Sequence, residues 1–206
     1  VPEDGLSQIG GATVDRGAGE NFQLNQTLVV DGDFDHESGK ISLGSGDIDL
    51  EVRGANSTVD GSLAGYEFDG VGYVVFNGES AQTLTVPSDV TINRFELDNS
   101  DGLTIGGNFT LITADLLLTA GTLDGGSQLK ANTSSDDGRI AVTAGSFSGD
   151  FQTGEAPAEV VYNNGSDLTA GAELSSTVND VIVQGSAQVN IDNPVTVTDR
   201  LNLAGG

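Results

Sequence analysis

Val74-Val75-Phe76-Asn77 recurs later in the chain as Val160-Val161-Tyr162-Asn163. The offset of 86 residues between the two copies then holds without a gap for most of a repeat. The matched positions are mostly apolar or Asn, whereas the residues between them vary freely. Such a pattern is typical of selection on stacked, buried side chains rather than on a reactive site, so it indicates an architecture before any chemistry.

A shorter spacing runs inside the long repeat, because large apolar residues recur every 20 or 21 positions. The pairs with this spacing are Phe95 and Leu116, Leu97 and Leu118, Leu103 and Leu123, Phe109 and Leu129, and Val181 and Leu201. Four such rungs account for one repeat of 86 residues. We therefore expect rungs of about 20–22 residues.

Each rung contains short alternating segments, such as Leu103-Thr104-Ile105, separated by turn sequences such as Asn99 to Gly102 and Gly125-Gly126. Alternation points one set of side chains inward and the other toward water. Strands this short need neighbours, and the turns do not join matched hairpin arms. The sequence therefore predicts an all-β, single-stranded parallel β-helix, or β-solenoid, right-handed by the usual preference of parallel connections, with equivalent strands about 4.8 Å apart.

The repeat divides the chain into two parts. Residues 74–206 carry it closely, and a looser copy begins at Asn21. We assign residues 21–206 to the β-solenoid, with its internal repeat of about 86 residues. Residues 1–20 are predicted to be an N-terminal cap or an inter-subunit strand.

Asparagines also recur at equivalent turn positions, as Asn77 with Asn163 and as Asn93 with Asn179. Stacked amides bond to one another in cross-strand arrays. We expect these asparagines to form amide ladders inside the coil.

The composition suits thin stacked layers better than a conventional core. Gly supplies 30 of 206 residues, aromatics are 5%, and Cys, Met and Trp are absent. The formal charge of −24 disfavours nucleic acid and anionic lipid as partners, and we expect no membrane insertion. Only Lys40 and Lys130 are lysines. The acidic excess is explained equally by adaptation to high salt, which screens such charge, and by the solubility of a secreted protein.

The strings VFNGESAQTLT (75–85), NFTL (108–111) and LLLTAGTL (116–123) resemble the repeats of secreted bacterial parallel β-solenoid proteins of the surface-fibre and adhesin type. The resemblance covers residues 74–206 well and 21–73 loosely. It implies an extracellular or cell-surface structural or adhesive protein with no catalytic residues. The acidic surface and the stretch from Arg53 to Gly72 depart from the plainer repeats.

Calcium is the ligand that the carboxylates favour most. Asp31, Asp33 and Asp35 alternate like the first half of a calcium loop, but His36 stands where that loop needs Gly. A second set alternates with apolar residues and shares the outer face of one strand; it consists of Asp47, Asp49 and Glu51. We keep both sets as candidate Ca²⁺ ligands beside the simpler interpretation of solvated surface acid, and we expect no other cofactor.

Evidence for an enzyme is weak. His36 is the only histidine, and no nucleophile elbow surrounds a serine. Glycan-cleaving β-helices need paired carboxylates with aromatic and basic groups that bind sugar. Here Trp is absent, and the five arginines (Arg16, Arg53, Arg94, Arg139 and Arg200) are scattered in sequence. We therefore expect no enzyme activity and keep a glycan-active enzyme only as a second alternative.

The end rungs of a β-helix expose unpaired backbone groups, so soluble examples need a cap. No capping helix or proline-bearing loop follows the last strands, and residues 1–20 are Gly-rich. The residues expected to mediate assembly are Val195, Val197, Leu201 and Leu203 at one end and Leu6 and Ile9 at the other.

Head-to-tail contacts do not close, so they make filaments. The sequence thus predicts a structural subunit of an extracellular filament or surface layer, with further copies of itself as partner. The alternative is the stalk of a cell-surface adhesin that binds glycans or neighbouring cells. Its only non-repetitive candidate for a binding tip is Arg53 to Gly72, with Tyr66 and Phe68.

Overall fold

The computed structural model describes residues 7–17, 20–44, 48–60, 68–107, 110–131, 138–151, 157–174, 177–186 and 188–204. Within these ranges the regular structure is entirely β-strand, as predicted. The strands are β1 (Ser7–Ile9), β2 (Ala12–Asp15), β3 (Asn21–Gln23), β4 (Leu28–Val30), β5 (Phe34–Ser38), β6 (Lys40–Ser42), β7 (Leu50–Val52), β8 (Asn56–Val59), β9 (Phe68–Asp69), β10 (Val74–Phe76), β11 (Gln82–Val86), β12 (Val90–Thr91), β13 (Arg94–Asp98), β14 (Leu103–Gly107), β15 (Leu111–Ile112), β16 (Asp115–Ala120), β17 (Thr122–Lys130), β18 (Arg139–Val142), β19 (Ser146–Phe151), β20 (Glu159–Tyr162), β21 (Leu168–Thr169), β22 (Thr177–Val183), β23 (Val189–Asn190) and β24 (Thr196–Leu203).

One ten-stranded parallel sheet runs the length of the molecule, in the order β1-β4-β7-β10-β13-β16-β18-β20-β22-β24. Each turn of the coil contributes one strand, so residues far apart in sequence lie one above another. Phe95 pairs with Leu116, and Val181 pairs with Leu201, as their spacing predicted. Four steps separate Val74 from Val160, which explains the 86-residue repeat. The predicted parallel β-solenoid is confirmed.

The remaining strands form the other sides of the coil. Nine strands, β2, β5, β8, β11, β14, β17, β19, β15 and β12, form a second parallel sheet; β3, β6 and β9 form a third; β21 and β23 pair separately. Strand β17 is long and bulged, which lets it pair with both β14 and β15.

Two residue assignments are wrong, and two rungs are longer than predicted. Leu129 pairs with Leu111 rather than with Phe109, which lies outside the described residues. Gly125-Gly126 is a bulge inside β17 rather than a turn. The rungs that lead from Leu50 to Val74 and from Leu116 to Ile140 have 24 residues, more than the 20–22 expected. The number of residues in the connecting corners varies, so a uniform spacing fails there.

The core is a set of columns inside the coil. One column of the ten-stranded sheet reads Val30, Val52, Phe76, Leu97, Leu118, Val142 and Tyr162, each 1% exposed or less. The described inward residues form one continuous apolar cluster. Every rung therefore buries its apolar side chains against the rungs above and below it, which is how so few aromatics suffice.

Amides do bond inside the coil, but not as the predicted ladders. Asn77 and Asn163 lie four rungs apart, and Asn163 is exposed. The buried amides include Gln82 and Asn99. The Gln82 side chain donates to the carbonyls of Val52 (3.0 Å) and Gly54 (2.9 Å) and accepts from Asn99 Nδ2 at 2.9 Å. These bonds satisfy backbone groups of a corner across three rungs.

Candidate functional site

The last rung of the ten-stranded sheet leaves its inward column open. Leu203 is 68% exposed and Leu201 59%, although both continue columns that are fully buried further down the stack. Among the described residues, β24 is paired only with β22, so its other edge has no strand against it. Apolar side chains and backbone groups are thus presented together at this end.

The first rung shows the same feature. Ile9, in β1, belongs to the same column as Leu203 and is 39% exposed. A cavity of about 410 Å³ lies beside it inside the coil, lined mainly by apolar side chains that include Val14, Phe22 and Leu28. The apolar interior therefore reaches both ends of the sheet.

The structure places the other predicted assembly residues as follows. Val195 and Val197 are half-buried, and Val197 lies in β24 against Val178. Leu6 lies outside the described residues. Strands β1 and β2 pair with β4 and β5 of the same chain, so the described part of residues 1–20 forms the first rung. The role of residues 1–20 as a cap or an inter-subunit strand stays a prediction.

The candidate calcium ligands are engaged by other groups of the protein rather than by one another. Asp31 pairs with Arg53 (3.4 Å), and Glu51 pairs with the same guanidinium (3.1 Å). Asp33 accepts from the backbone N–H of Asn56, and Asp49 accepts from that of Tyr73.

Asp35 lies on β5 and is half-buried, and Asp47 is outside the described residues. Within the described ranges, the structure brings no three acidic or histidine side chains into a group that would hold a metal. Calcium binding stays a prediction.

An ion-pair column on the outer face of the ten-stranded sheet was not predicted. Its members occupy equivalent positions on six consecutive strands: Arg94, Asp115, Arg139, Glu159, Asp180 and Arg200. Arg139 bridges Asp115 (3.0 Å) and Glu159 (3.2 Å), and Arg200 bridges Glu159 (3.3 Å) and Asp180 (3.0 Å). Three of the five arginines, scattered in sequence, are thus collected in one balanced column of a strongly acidic molecule.

Tyr73 adjoins this ion-pair column. Its hydroxyl donates to Asp115 at 2.7 Å, and the Arg94 guanidinium lies 5.5 Å from the centre of its ring. Burial and the adjoining Asp115 carboxylate raise the pKa of the Tyr73 hydroxyl to about 12. Because the arginines are partly exposed, each ion pair contributes little stability alone. Together the pairs favour one vertical alignment of the rungs.

His36 is part of the core. Its ring is fully buried, donates from Nε2 to the Gly39 carbonyl (3.0 Å) and packs 5.5 Å from the ring of Phe68. Phe68 is itself buried. The suggestion that Phe68 belongs to an adhesive tip is therefore wrong, because its ring fills the coil; Tyr66 lies outside the described residues.

Replacing His36 is expected to change how stability depends on pH. Burial lowers the pKa of His36, and the Gly39 hydrogen bond and Asp60 oppose this only in part. As the pH falls below 6.5, the His36 imidazole binds a proton in the unfolded chain but stays neutral in the folded chain. The free energy of unfolding therefore falls as the pH drops below 6.5.

The matched variant is His36→Val, since Val14 and Val59 flank His36 in the same column. Urea unfolding from about pH 8 to pH 5 should show the parent losing up to about 1.4 kcal/mol per pH unit more than the variant below pH 6.5. An equal pH dependence of the two proteins would contradict a neutral buried imidazole.

A second buried ionisable group was also missed. Glu173 is 1% exposed, and its carboxylate accepts from the N–H of Gly171 (2.7 Å), the N–H of Phe147 (3.1 Å) and the hydroxyl of Tyr162 (3.1 Å). Burial and the neighbouring carboxylate raise the pKa of Tyr162. Phe147 lies in the rung that begins at Ile140, whereas Tyr162 and Gly171 lie with Glu173 in the next rung, which begins at Val160, so the carboxylate joins two neighbouring rungs.

Comparison with known proteins finds no matching family model, no similar curated protein and no similar solved structure. The described part of the chain has no helix of the length and apolar character that crossing a membrane requires. The candidate site consists of the two end strands of the ten-stranded sheet, β1 and β24, where Ile9, Leu201 and Leu203 expose the ends of the apolar columns.

Proposed function

We propose that this chain is a structural subunit of an extracellular filament or surface layer, which assembles by head-to-tail stacking or strand addition with further copies of itself. The observation that carries the proposal is the exposure of Leu201 and Leu203 at the end of columns buried everywhere in the middle of the stack. Covering one leucine with a further rung contributes about 1.5–3 kcal/mol.

The shape of the contact supports a filament. The open edges β1 and β24 lie at opposite ends of one sheet, separated by nine steps of about 4.8 Å, or roughly 43 Å. A contact between two different surfaces does not close on itself unless a rotation brings it round. Copies that add through the two ends of the sheet therefore extend the coil along its own axis.

Salt is expected to control this assembly. Two copies that each carry a charge of −24 repel one another in dilute buffer, where the screening length is about 10 Å at 0.1 M. At 1 M the screening length is about 3 Å, so the repulsion is weak and the apolar contacts at the ends determine whether two copies associate.

Sedimentation velocity on the purified chain, at about 0.1 M and about 2 M NaCl, tests the proposal. We expect monomers at low salt and, at high salt, species that grow with protein concentration and appear as filaments by negative-stain microscopy. A monodisperse monomer at every salt and protein concentration would refute it.

A further inference from the structure

We infer that the junction between two copies is made by the ten-stranded sheet: Ser7-Gln8-Ile9 of one copy adds as a parallel strand to Leu201-Asn202-Leu203 of the next. This inference rests on the proposed function and specifies its partner surface, direction and register. The junction would join two ten-stranded sheets into one.

The coil fixes the direction and the register. Every strand pair in this sheet is parallel, and each inward position stands on an inward position of the next rung. In β1 the inward residues are Ser7 and Ile9, and in β24 they are Leu201 and Leu203. A slip of one residue would turn the leucines outward, so it is disfavoured.

The side chains at these edges are compatible. Ile9 would cover Leu203, so that the column ending in two exposed side chains becomes continuous. Gln8 and Asn202 would meet on the outer face as neighbouring amides, which bond to each other in stacked strands. All six residues of the two strand segments are uncharged in a chain of net charge −24, so they can approach without like-charge contact.

Cysteine cross-linking reads this register directly, because the chain has no cysteine of its own. Directly opposed residues of adjacent parallel strands lie about 4.8 Å apart, within the range that a disulfide spans. The test variant carries Gln8→Cys and Asn202→Cys. After mild oxidation of the assembled protein at high salt, we expect a ladder of covalent oligomers on a non-reducing gel.

Three controls define the result. The single variants Gln8→Cys and Asn202→Cys can form nothing larger than a covalent dimer. The pair Gln8→Cys with Ala204→Cys reports a register shifted by two residues. The pair Thr104→Cys with Asp124→Cys, both exposed and directly opposed on parallel strands of one copy, tests whether this geometry forms a disulfide inside the monomer.

Each outcome is decisive. Oligomers beyond the dimer from Gln8→Cys with Asn202→Cys, and not from the shifted pair, support the inference. Oligomers from the shifted pair alone overturn the register. If neither pair cross-links while the protein still assembles, the junction lies elsewhere, although the proposed function stands. If the protein stays monomeric at high salt, the proposed function fails and this inference fails with it.

Discussion

Replacing Glu173 with alanine is expected to lower the free energy of unfolding by about 3 kcal/mol or more. The substitution removes the acceptor for two backbone N–H groups and for the Tyr162 hydroxyl, all inside the coil. Each buried donor left without a partner costs about 1–3 kcal/mol, and removing the buried charge offsets only part of this. Urea unfolding monitored by circular dichroism measures the difference.

The matched control is Tyr162→Phe. It removes one of the three donors and leaves the carboxylate bonded to the backbone of Gly171 and Phe147. We expect this variant to lose about 1 kcal/mol. If Glu173→Ala loses no more stability than Tyr162→Phe, the carboxylate does not join the rungs.

The inward columns were predictable because they leave a periodic trace in the sequence. Phe95 and Leu116, or Val181 and Leu201, occupy the same position of successive turns, and each turn must supply an apolar side chain there. Since four turns together have 86 residues, the longer repeat was visible even though single turns differ in length. The parallel coil followed from this alone.

The number of residues in each turn of the coil could not be predicted from the sequence, and neither could the length of the corners that join its strands. The connection from Leu111 to Leu129 takes 18 residues, whereas that from Leu116 to Ile140 takes 24. The column nevertheless resumes after the longer turn, because Ile140 pairs directly with Leu116. A constant spacing therefore predicted, wrongly, that Phe109 and Leu129 occupy equivalent positions on neighbouring rungs.

The ion-pair column could not be predicted from the sequence, again because the turns of the coil differ in length. Arg94, Arg139 and Arg200 are not separated by one constant interval, and carboxylates occupy the same column between them. Opposite charges face each other at four of the five steps of this column, and Glu159 and Asp180 at the remaining step share Arg200 as a partner. Only the observed register shows that these side chains meet.

Of the two buried ionisable groups, only one left a signal in the sequence. Glu173 and His36 look like surface residues in a chain rich in acid, yet both lie inside the coil. A search for a charged residue between inward apolar positions on neighbouring rungs would have placed His36 in its column with Val14 and Val59. No comparable pattern marks Glu173, whose partners are largely backbone groups.

The open end of the column is the feature on which the proposed function depends, and Leu203→Asp is designed to remove it. Leu203 is 68% exposed, so the monomer loses little when it is replaced. In the assembled state the change deletes about 1.5–3 kcal/mol of apolar burial and places a carboxylate in a dry column. We expect assembly at high salt to weaken by at least about a hundredfold.

Val71→Asp is the matched control, since Val71 is 48% exposed on the flank of the coil and lies at neither end of the ten-stranded sheet. Both variants gain the same charge. Sedimentation velocity at high salt should find Leu203→Asp monomeric at concentrations where the parent and Val71→Asp form long species. Equal assembly of all three proteins, or loss of assembly in Val71→Asp alone, would contradict the account.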